Sequence, residues 1–230
     1  MSTLHYVYDP LCGWCYAAAP LVKAARDVSG LHIAMHAGGM MAGAQRRQIT
    51  PQWRGYVMPH DQRIAQITGQ PFGEAYFEGL LRDTSAVMDS APPTTAILAA
   101  EEIAERGLDM LHRLQHAHYA EGRRIADHEV LEAVAKELGF DATAFNAAYE
   151  RLCGPATERH FQDSRQWLAR IRGQGFPTFA LEREGQLEAV DIGGFLGRPA
   201  AWADFLRGSL AGVAAADEVV GLCGPDSCEI

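Results

Sequence analysis

The stretch from Leu4 to Pro20, LHYVYDPLCGWCYAAAP, carries two cysteines three positions apart at a boundary between two kinds of secondary structure. Its first residues, Leu4 to Tyr8, are mainly aromatic and aliphatic, which predicts a short β-strand. Asp9-Pro10 is a turn pair that ends the strand. Alanines follow the second cysteine, and alanine is the strongest helix former, so a helix is predicted to begin at Cys12 or Gly13. The cysteine pair therefore lies between the end of a strand and the start of a helix.

Cys12 and Cys15 are predicted to form a redox pair. Two cysteines at i and i+3 can close a small disulfide ring, and the first lies where unpaired N–H groups and the helix dipole stabilise a thiolate. We expect Cys12 to attack disulfides and Cys15, one turn deeper, to resolve the mixed disulfide. A structural zinc half-site is the main alternative, but it needs a second pair at matching spacing. Cys223 and Cys228 do not match that spacing, so no metal is expected.

The rest of the chain predicts the order β-α-β, a helical block, then β-β-α. A second strand is predicted at Leu31–His36, and the returning strands are predicted at Pro177–Leu181 and Leu187–Ile192. The last helix is predicted at Pro199–Ala215. Within the block, helical spacing covers Pro92–Ala104, Leu108–Ala120, Asp127–Leu138, Asp141–Leu152 and Thr157–Ile171. We therefore expect an α/β fold: a discontinuous domain of residues 1–49 and 173–216, a helical insertion of residues 50–172, and a tail of residues 217–230.

Composition narrows the class of protein. The chain has 230 residues, a net charge of −9, 48% hydrophobic residues and 21% charged residues, which is ordinary for a globular protein. Its acidic balance argues against nucleic-acid binding, which depends on Lys and Arg. No apolar run reaches the length of about 20 residues that a membrane helix needs. The first residues, MSTLHYVY, do not have the pattern of a secretory signal. A cytoplasmic location without membrane or nucleic-acid partners is expected.

A second motif, Gly175-Phe176-Pro177-Thr178, precedes the first returning strand. A proline at this position suits a cis peptide bond, and cis geometry would place the backbone of Phe176 beside the thiols, where an extended substrate could pair with it. An ordinary trans proline at a strand start is the alternative. The preceding Cys-x-x-C motif is what favours the cis form.

These motifs and their order resemble the DsbA family of thiol–disulfide oxidoreductases, within the thioredoxin-like superfamily. The run from Tyr8 to Cys15 is especially similar to the branch of FrnE and cytosolic protein-disulfide isomerases. The resemblance implies a thioredoxin-like fold with a large helical insertion, Cys12 as nucleophile, Cys15 as resolving thiol and Pro177 as the cis-proline. The dipeptide between the cysteines is Gly-Trp, where the strong periplasmic oxidant of the family has Pro-His. We therefore expect a less oxidising couple.

Other residues permit two interpretations. Asp9 either relays protons to the thiols or forms an Asx turn with Pro10. Trp14 either contacts substrate or packs over the site, and Phe176, bulkier than the Val or Thr common in the family, is expected to narrow the substrate groove. Cys223 and Cys228 form either a second redox pair or a tail without catalytic role. Cys153 stands alone in the sequence and is expected to be buried.

Three functions remain open from the sequence. The first is a thiol–disulfide oxidoreductase or isomerase acting on proteins or peptides, which needs no metal or organic cofactor and is reset by glutathione or a thioredoxin-type partner. The second is a glutathione-dependent transferase or isomerase of the kappa or hydroxychromene-carboxylate isomerase type, against which the cysteine pair argues. The third is a redox-regulated peptide-binding chaperone or homodimer.

Overall fold

The computed structural model describes the backbone of residues 2–220 and the side chains of residues 2–211. Cys223 and Cys228, the predicted second redox pair, lie outside the described residues. The main elements are β1 (Ser2–Tyr8), α1 (Gly13–Arg26), β2 (Leu31–Ala37), β3 (Arg47–Gln48), α2 (Pro51–Thr68), β4 (Val87–Met88), α3 (Ala91–Ala104), α4 (Gly107–Tyr119), α5 (His128–Glu137), α6 (Ala142–Leu152), α7 (Pro155–Arg170), β5 (Thr178–Arg183), β6 (Gln186–Val190) and α8 (Pro199–Val220).

A four-stranded sheet in the order β2-β1-β5-β6 forms the centre of the structure. The strands β1 and β2 are parallel, and α1 forms the crossover connection that parallel strands need, whereas β5 runs antiparallel to both β1 and β6. Glu184 and Gly185 connect β5 to β6, and both have positive φ, 50° and 77°. Such a two-residue turn matches the twist of a hairpin. The predicted hairpin is therefore present.

The two faces of the sheet pack against different helices because side chains alternate along a strand. Leu4, Tyr6 and Tyr8 lie on one face, and the Tyr6 ring stacks on Phe179 of β5 at 4.7 Å between centroids. The rings of Phe179 and Trp202 of α8 meet edge to face on this side. On the opposite face, His5 stacks on Trp167 of α7 at 4.1 Å. The sheet thus lies between α1 and α8 on one side and α7 on the other.

The segment between β2 and β5 is mainly helical. Within it, α3 packs against α4, α5, α6 and α7, and it buries most of its surface. The helix α7, which the predicted insertion includes, packs against β1 and β2. We propose the division into residues 1–49 with 173–216 and the insertion 50–172, with α7 as the part of the insertion that contacts the sheet.

Three details differ from the sequence-based expectations. A two-residue ladder joins β3 to β4, and two residues are too short to produce a recognisable alternation. The helix α2 is not among the helices predicted from the sequence. It begins after Thr50, whose hydroxyl accepts a hydrogen bond from Trp53 N at 3.1 Å. The expectation that Cys153 is buried is wrong, because it follows the last residue of α6 in the turn to α7 and is exposed.

Within residues 2–220, no helix is both long and apolar enough to cross a membrane.

Trp202 tests how α8 holds the sheet. Its side chain is 0% exposed and packs against Phe179 and Phe195, so Trp202→Ala is expected to lower the free energy of unfolding by about 3–5 kcal/mol. Phe205→Ala, three residues later and 40% exposed, is the matched control and should cost less than half as much. Urea unfolding of both variants measures the difference. Equal losses would contradict the central position of Trp202 in this packing.

Candidate active site

Cys12 and Cys15 lie at the start of α1, as predicted. Cys12 occupies the N-cap with extended backbone (φ −91°, ψ 116°), and its carbonyl accepts hydrogen bonds from the N–H groups of Cys15 and Tyr16 at 3.0 and 3.1 Å. The structure has both cysteines as free thiols. Cys12 retains 7% exposure and Cys15 none. Cys12 is therefore the thiol nearer to solvent.

Cys15 is enclosed by the end of β1 and the first turn of α1. Its sulfur accepts a hydrogen bond from Asp9 N at 3.5 Å. Burial raises the pKa of Cys15 well above its usual value, and the neighbouring Cys12 thiol is the second cause. Cys15 is therefore a protonated thiol at neutral pH.

The loop before β5 approaches Cys12 from the other side. The Phe176–Pro177 bond is cis, which confirms the expectation for this proline. The Cys12 thiol donates to the carbonyl of Phe176 at 3.4 Å. The Phe176 ring covers Gly38, where an added Cβ would lie 2.3 Å from ring carbons, so a larger residue there would displace the ring. Phe176 and Pro177 thus border the Cys12 sulfur.

The carboxylate of Asp9 connects three segments around the cysteines. Its Oδ1 accepts from Leu11 N at 2.9 Å, which is an Asx turn, and from Ser90 Oγ at 2.9 Å. Its Oδ2 accepts from Met40 N at 2.6 Å. Ser90 also accepts from Met41 N at 3.0 Å. Asp9 therefore ties the turn before Cys12 to the loop after β2 and to the start of α3.

Asp9 is fully buried, and this burial raises its pKa to about 6, although its hydrogen bonds from Leu11, Met40 and Ser90 lower it. The Asx turn predicted for Asp9 is present. The proton relay stays a prediction.

A cavity of about 810 Å³ opens beside Cys12, between the start of α1 and α2. Trp14 lines it and also packs against the core, so the two interpretations of this residue are compatible. Arg47 lies over the Trp53 ring with its guanidinium carbon 4.5 Å from the ring centroid. Phe176 and Pro177 do not line this cavity. Its walls include Leu11, Cys12, Gly13, Trp14, Met40, Arg47, Trp53, Tyr56, His60, Asp61, Tyr76 and Tyr119.

Asp61 is a site residue that the sequence does not single out. It lies on α2 with 5% exposure, and its Oδ2 accepts a hydrogen bond from the Tyr76 hydroxyl at 2.8 Å. Burial raises the pKa of Asp61 to about 7, although the hydrogen bond from Tyr76 lowers it. Asp61 shares the buried face of α2 with Ile64. The i, i+3 spacing of these two is the signal that could have found it, once the inward face of α2 was known.

The DSBA-like thioredoxin domain family matches residues 3–196 of the chain. The chain belongs to this family. The structure of cytosolic disulfide reductase DsbM from Pseudomonas aeruginosa is similar, with 54% identity, coverage of 91% of this chain and 98% of that chain, and a TM-score of 0.86. The structure of DsbM with GSH gives 52% identity, coverage of 91% and 99%, and a TM-score of 0.85.

Two more distant structures share the fold. One from Nitrosomonas europaea is 22% identical, covers 90% of this chain and 96% of that chain, and has a TM-score of 0.73. A 2-hydroxychromene-2-carboxylate isomerase is 18% identical, covers 91% and 98%, and has a TM-score of 0.55. No curated protein sequence matched the chain. The family and the similarity to DsbM identify this DSBA-like protein as a disulfide oxidoreductase and confirm the fold class expected from the sequence.

Ser90 tests the contribution of the Asp9 hydrogen bonds. Ser90→Ala leaves the buried Asp9 carboxylate without one donor and the Met41 N–H without its acceptor, so the free energy of unfolding should fall by about 1–3 kcal/mol. Ser85→Ala removes a comparable hydrogen bond to Asp83 at an exposed position and should cost about 0.5 kcal/mol or less. Urea unfolding compares the two. A loss at Ser90 no larger than that at Ser85 would show that the Asp9 cluster contributes little.

Asp61 is expected to make stability depend on pH. Because its pKa is raised, the folded protein holds a proton that the unfolded chain releases, so stability should fall as pH rises from about 4 to about 7. Asp61→Asn keeps an acceptor for Tyr76 and removes the charge. The variant should therefore be more stable than the wild type by about 2–4 kcal/mol near pH 8, and close to it near pH 4. Urea unfolding across this pH range measures the difference; a constant offset would contradict a titrating Asp61.

Proposed function

We propose that this protein reduces disulfides in proteins or peptides through Cys12 and Cys15, with glutathione as the electron donor. The observation that carries the proposal is the position of the Cys12 thiol. It lies at the N-terminus of α1, within 3.4 Å of the Phe176 carbonyl and at the wall of a cavity of about 810 Å³. A helix N-terminus stabilises a thiolate, and the cavity gives a substrate sulfur access to it.

In the first half of the reaction, the Cys12 thiolate attacks one sulfur of a substrate disulfide. The substrate S–S bond breaks, Cys12 becomes joined to that sulfur, and the other substrate sulfur leaves as a thiolate that takes a proton from solvent. Cys15 then loses its proton and attacks Cys12. The bond between Cys12 and the substrate breaks, and the second substrate sulfur leaves as a thiolate that takes up a proton. The substrate disulfide has then gained two electrons, and the protein is oxidised to the Cys12–Cys15 disulfide.

Glutathione completes the cycle. One glutathione thiolate attacks Cys12, which releases Cys15 and forms a mixed disulfide. A second glutathione thiolate attacks the glutathione sulfur of that mixed disulfide, which restores the Cys12 thiol and releases oxidised glutathione. Two electrons pass from two glutathione molecules to one substrate disulfide. No metal or organic cofactor takes part in this proposal.

The neighbouring residues receive proposed roles from their contacts. Trp14 would contact substrate in the cavity, whereas the Phe176 carbonyl and Pro177 would border the reacting sulfur. Asp9 would accept the proton of Cys15, because its backbone N–H already contacts Cys15 Sγ at 3.5 Å and its carboxyl is buried nearby. Cys223 and Cys228 keep their predicted role as a second redox pair or an inert tail.

Reduction, rather than oxidation, is supported by two observations. The similar protein DsbM is described as a cytosolic disulfide reductase, and its structure was solved with GSH. The dipeptide Gly13-Trp14 does not supply the thiolate-stabilising histidine of the strong oxidant of the family. A cytoplasmic location is proposed on the same basis, since that compartment keeps thiols reduced. The predicted homodimer and chaperone roles stay predictions.

Insulin reduction in the presence of glutathione tests the proposal. Cys12→Ser should lower turnover by roughly a hundredfold or more, because the variant has no nucleophile for the first step. In the absence of glutathione, Cys15→Ser should accumulate a mixed disulfide between Cys12 and an insulin chain, because it has no second thiol to attack Cys12. Intact-protein mass spectrometry detects this species. Cys153→Ser replaces an exposed cysteine outside the site and is the matched control, with unchanged turnover.

Other outcomes would point to the competing functions. Unchanged turnover in Cys12→Ser would contradict the proposed nucleophile. A wild-type protein that binds glutathione tightly but does not reduce insulin above background would favour the transferase or isomerase type. Suppression of aggregation by Cys12→Ser at the wild-type level, without reductase activity in either protein, would favour the chaperone.

A further inference from the structure

A buried carboxyl from the helical insertion lies against the redox turn. An ideal Cβ built on Gly13 would be 2.7 Å from Asp61 Oδ1, so this oxygen lies directly beside the backbone between the two cysteines. Any side chain at position 13 would displace Asp61. Gly13 and Asp61 both line the cavity that also exposes Cys12.

Tyr76 holds Asp61 in this place. Its hydroxyl donates to Asp61 Oδ2, so Oδ1 is the oxygen left facing Gly13. The segment that carries Tyr76 is itself fixed on the end of α4, because Gly73 N donates to Tyr119 O at 2.9 Å. An added Cβ at Gly73 would lie 1.9 Å from Ala120 O, which shows how closely the two segments approach. The carboxyl therefore has little freedom to turn away from α1.

The position matters because two anions would share one helix terminus. The first N–H groups of α1 have no partners within the helix, and together with the dipole they attract negative charge. The Cys12 thiolate and an ionised Asp61 are both placed to use this attraction. Both side chains are largely buried, so the two negative charges also repel one another with less screening than exposed charges would have. An ionised Asp61 therefore disfavours the Cys12 thiolate.

We propose that Asp61 is a positioning residue for the redox pair, whose carboxylate opposes the Cys12 thiolate and so shifts the thiol–disulfide equilibrium of the protein toward its disulfide. This inference rests on the proposed function of Cys12 and Cys15. The charge of Asp61 thus makes the protein a stronger reductant than the same fold would be with a neutral side chain at this position.

The electron and proton balance gives the direction of the effect. Two glutathione thiols reduce the Cys12–Cys15 disulfide to two cysteine thiols and leave as one oxidised glutathione. The disulfide carries no charge, whereas the reduced form gains stability when Cys12 loses its proton to solvent. A negative charge beside Cys12 removes part of that gain. The reduced form is then less favoured, and the protein passes its electrons to a substrate more readily.

Asp61 changes its charge in a useful pH range, since burial raises its pKa to about 7. The phenols around it do not titrate there, because burial raises the pKa of Tyr76 and of Tyr119 well above the usual value. Histidine is another side chain that ordinarily titrates near neutral pH, and the exposed His60 is adjacent to Asp61. The titratable or charged groups that line the same cavity as Asp61 are Cys12, Arg47, Tyr56, His60, Tyr76 and Tyr119.

The test is the equilibrium of the full-length protein with defined mixtures of reduced and oxidised glutathione. Acid quenching, alkylation and mass spectrometry measure the fraction of Cys12–Cys15 disulfide. Asp61→Asn should shift the equilibrium constant toward the dithiol by roughly tenfold at about pH 8.5 and by less than about twofold near pH 5.5, where Asp61 is protonated. The rate of Cys12 alkylation by iodoacetamide, followed against pH, should show the variant reactive at lower pH than the wild type.

One control matches the charge change. Glu74→Gln removes one exposed carboxylate two residues before Tyr76. It should leave the equilibrium within about twofold of the wild type, because exposed charges are screened.

Tyr76→Phe supplies a second test that keeps the carboxyl. Without the phenol, Asp61 loses the hydrogen bond that lowers its pKa, so it should stay protonated to a higher pH. As pH rises, the equilibrium constant of the wild type should begin to differ from that of Asp61→Asn. For Tyr76→Phe this difference should begin at a higher pH. A structural role alone would not shift that pH. If Asp61→Asn does not fold, the pH dependence of the equilibrium constant is compared between Tyr76→Phe and the wild type directly.

The outcomes separate the two proposals. If the wild type forms the Cys12–Cys15 disulfide and reduces insulin, but Asp61→Asn and Tyr76→Phe give its equilibrium constant at every pH, the role of Asp61 is refuted and the proposed function stands. If the wild type neither forms this disulfide nor reduces insulin, the proposed function fails and the inference falls with it.

Discussion

The site depends on one buried carboxylate, that of Asp9, which holds the end of β1, the loop after β2 and the start of α3 together through Leu11, Met40 and Ser90. Its burial carries a cost that raises its pKa to about 6, and the hydrogen bonds from the three segments offset part of that cost. Loss of any one of these donors would leave the buried carboxylate less well compensated. The loop that carries Cys12 is therefore ordered by contacts from both the sheet and the helical insertion.

The proposed insertion contributes side chains to the site itself as well as the helices that support it. The helix α2 and the segment around Tyr76 form the wall of the cavity opposite α1, and they bring Asp61 to the redox turn. The sheet side contributes the two thiols, and the loop before β5 contributes the Phe176 carbonyl. A site built in this way separates two tasks. The thioredoxin-like part supplies the proposed nucleophile at a helix terminus, and the helical segment after β2 places a buried carboxyl beside it.

Much of the fold was predictable because its signals are local. The strand before Cys12, the alanine-rich helix after it and the β5–β6 hairpin each follow from spacing and turn residues within a few positions. The ladder of β3 and β4 was not predictable, because two residues carry no alternation. The burial of Cys153 was predicted wrongly, because a cysteine's general tendency to be buried says nothing about its position in a turn between helices.

The sequence by itself determined the cysteine motif, the helix that presents it and the class of chemistry. The spacing of the two cysteines and the boundary between strand and helix depend only on residues a few positions apart. The tertiary structure decided which groups surround that motif. Ser90 reaches Asp9 across 81 positions and Phe176 reaches Cys12 across 164, while Asp61 meets Gly13 only because α2 packs on α1. The contact of Phe176 was predicted from the motif that ends in Pro177 and Thr178. The contacts of Ser90 and Asp61 leave no such motif in the chain, because they arise only when distant segments pack together.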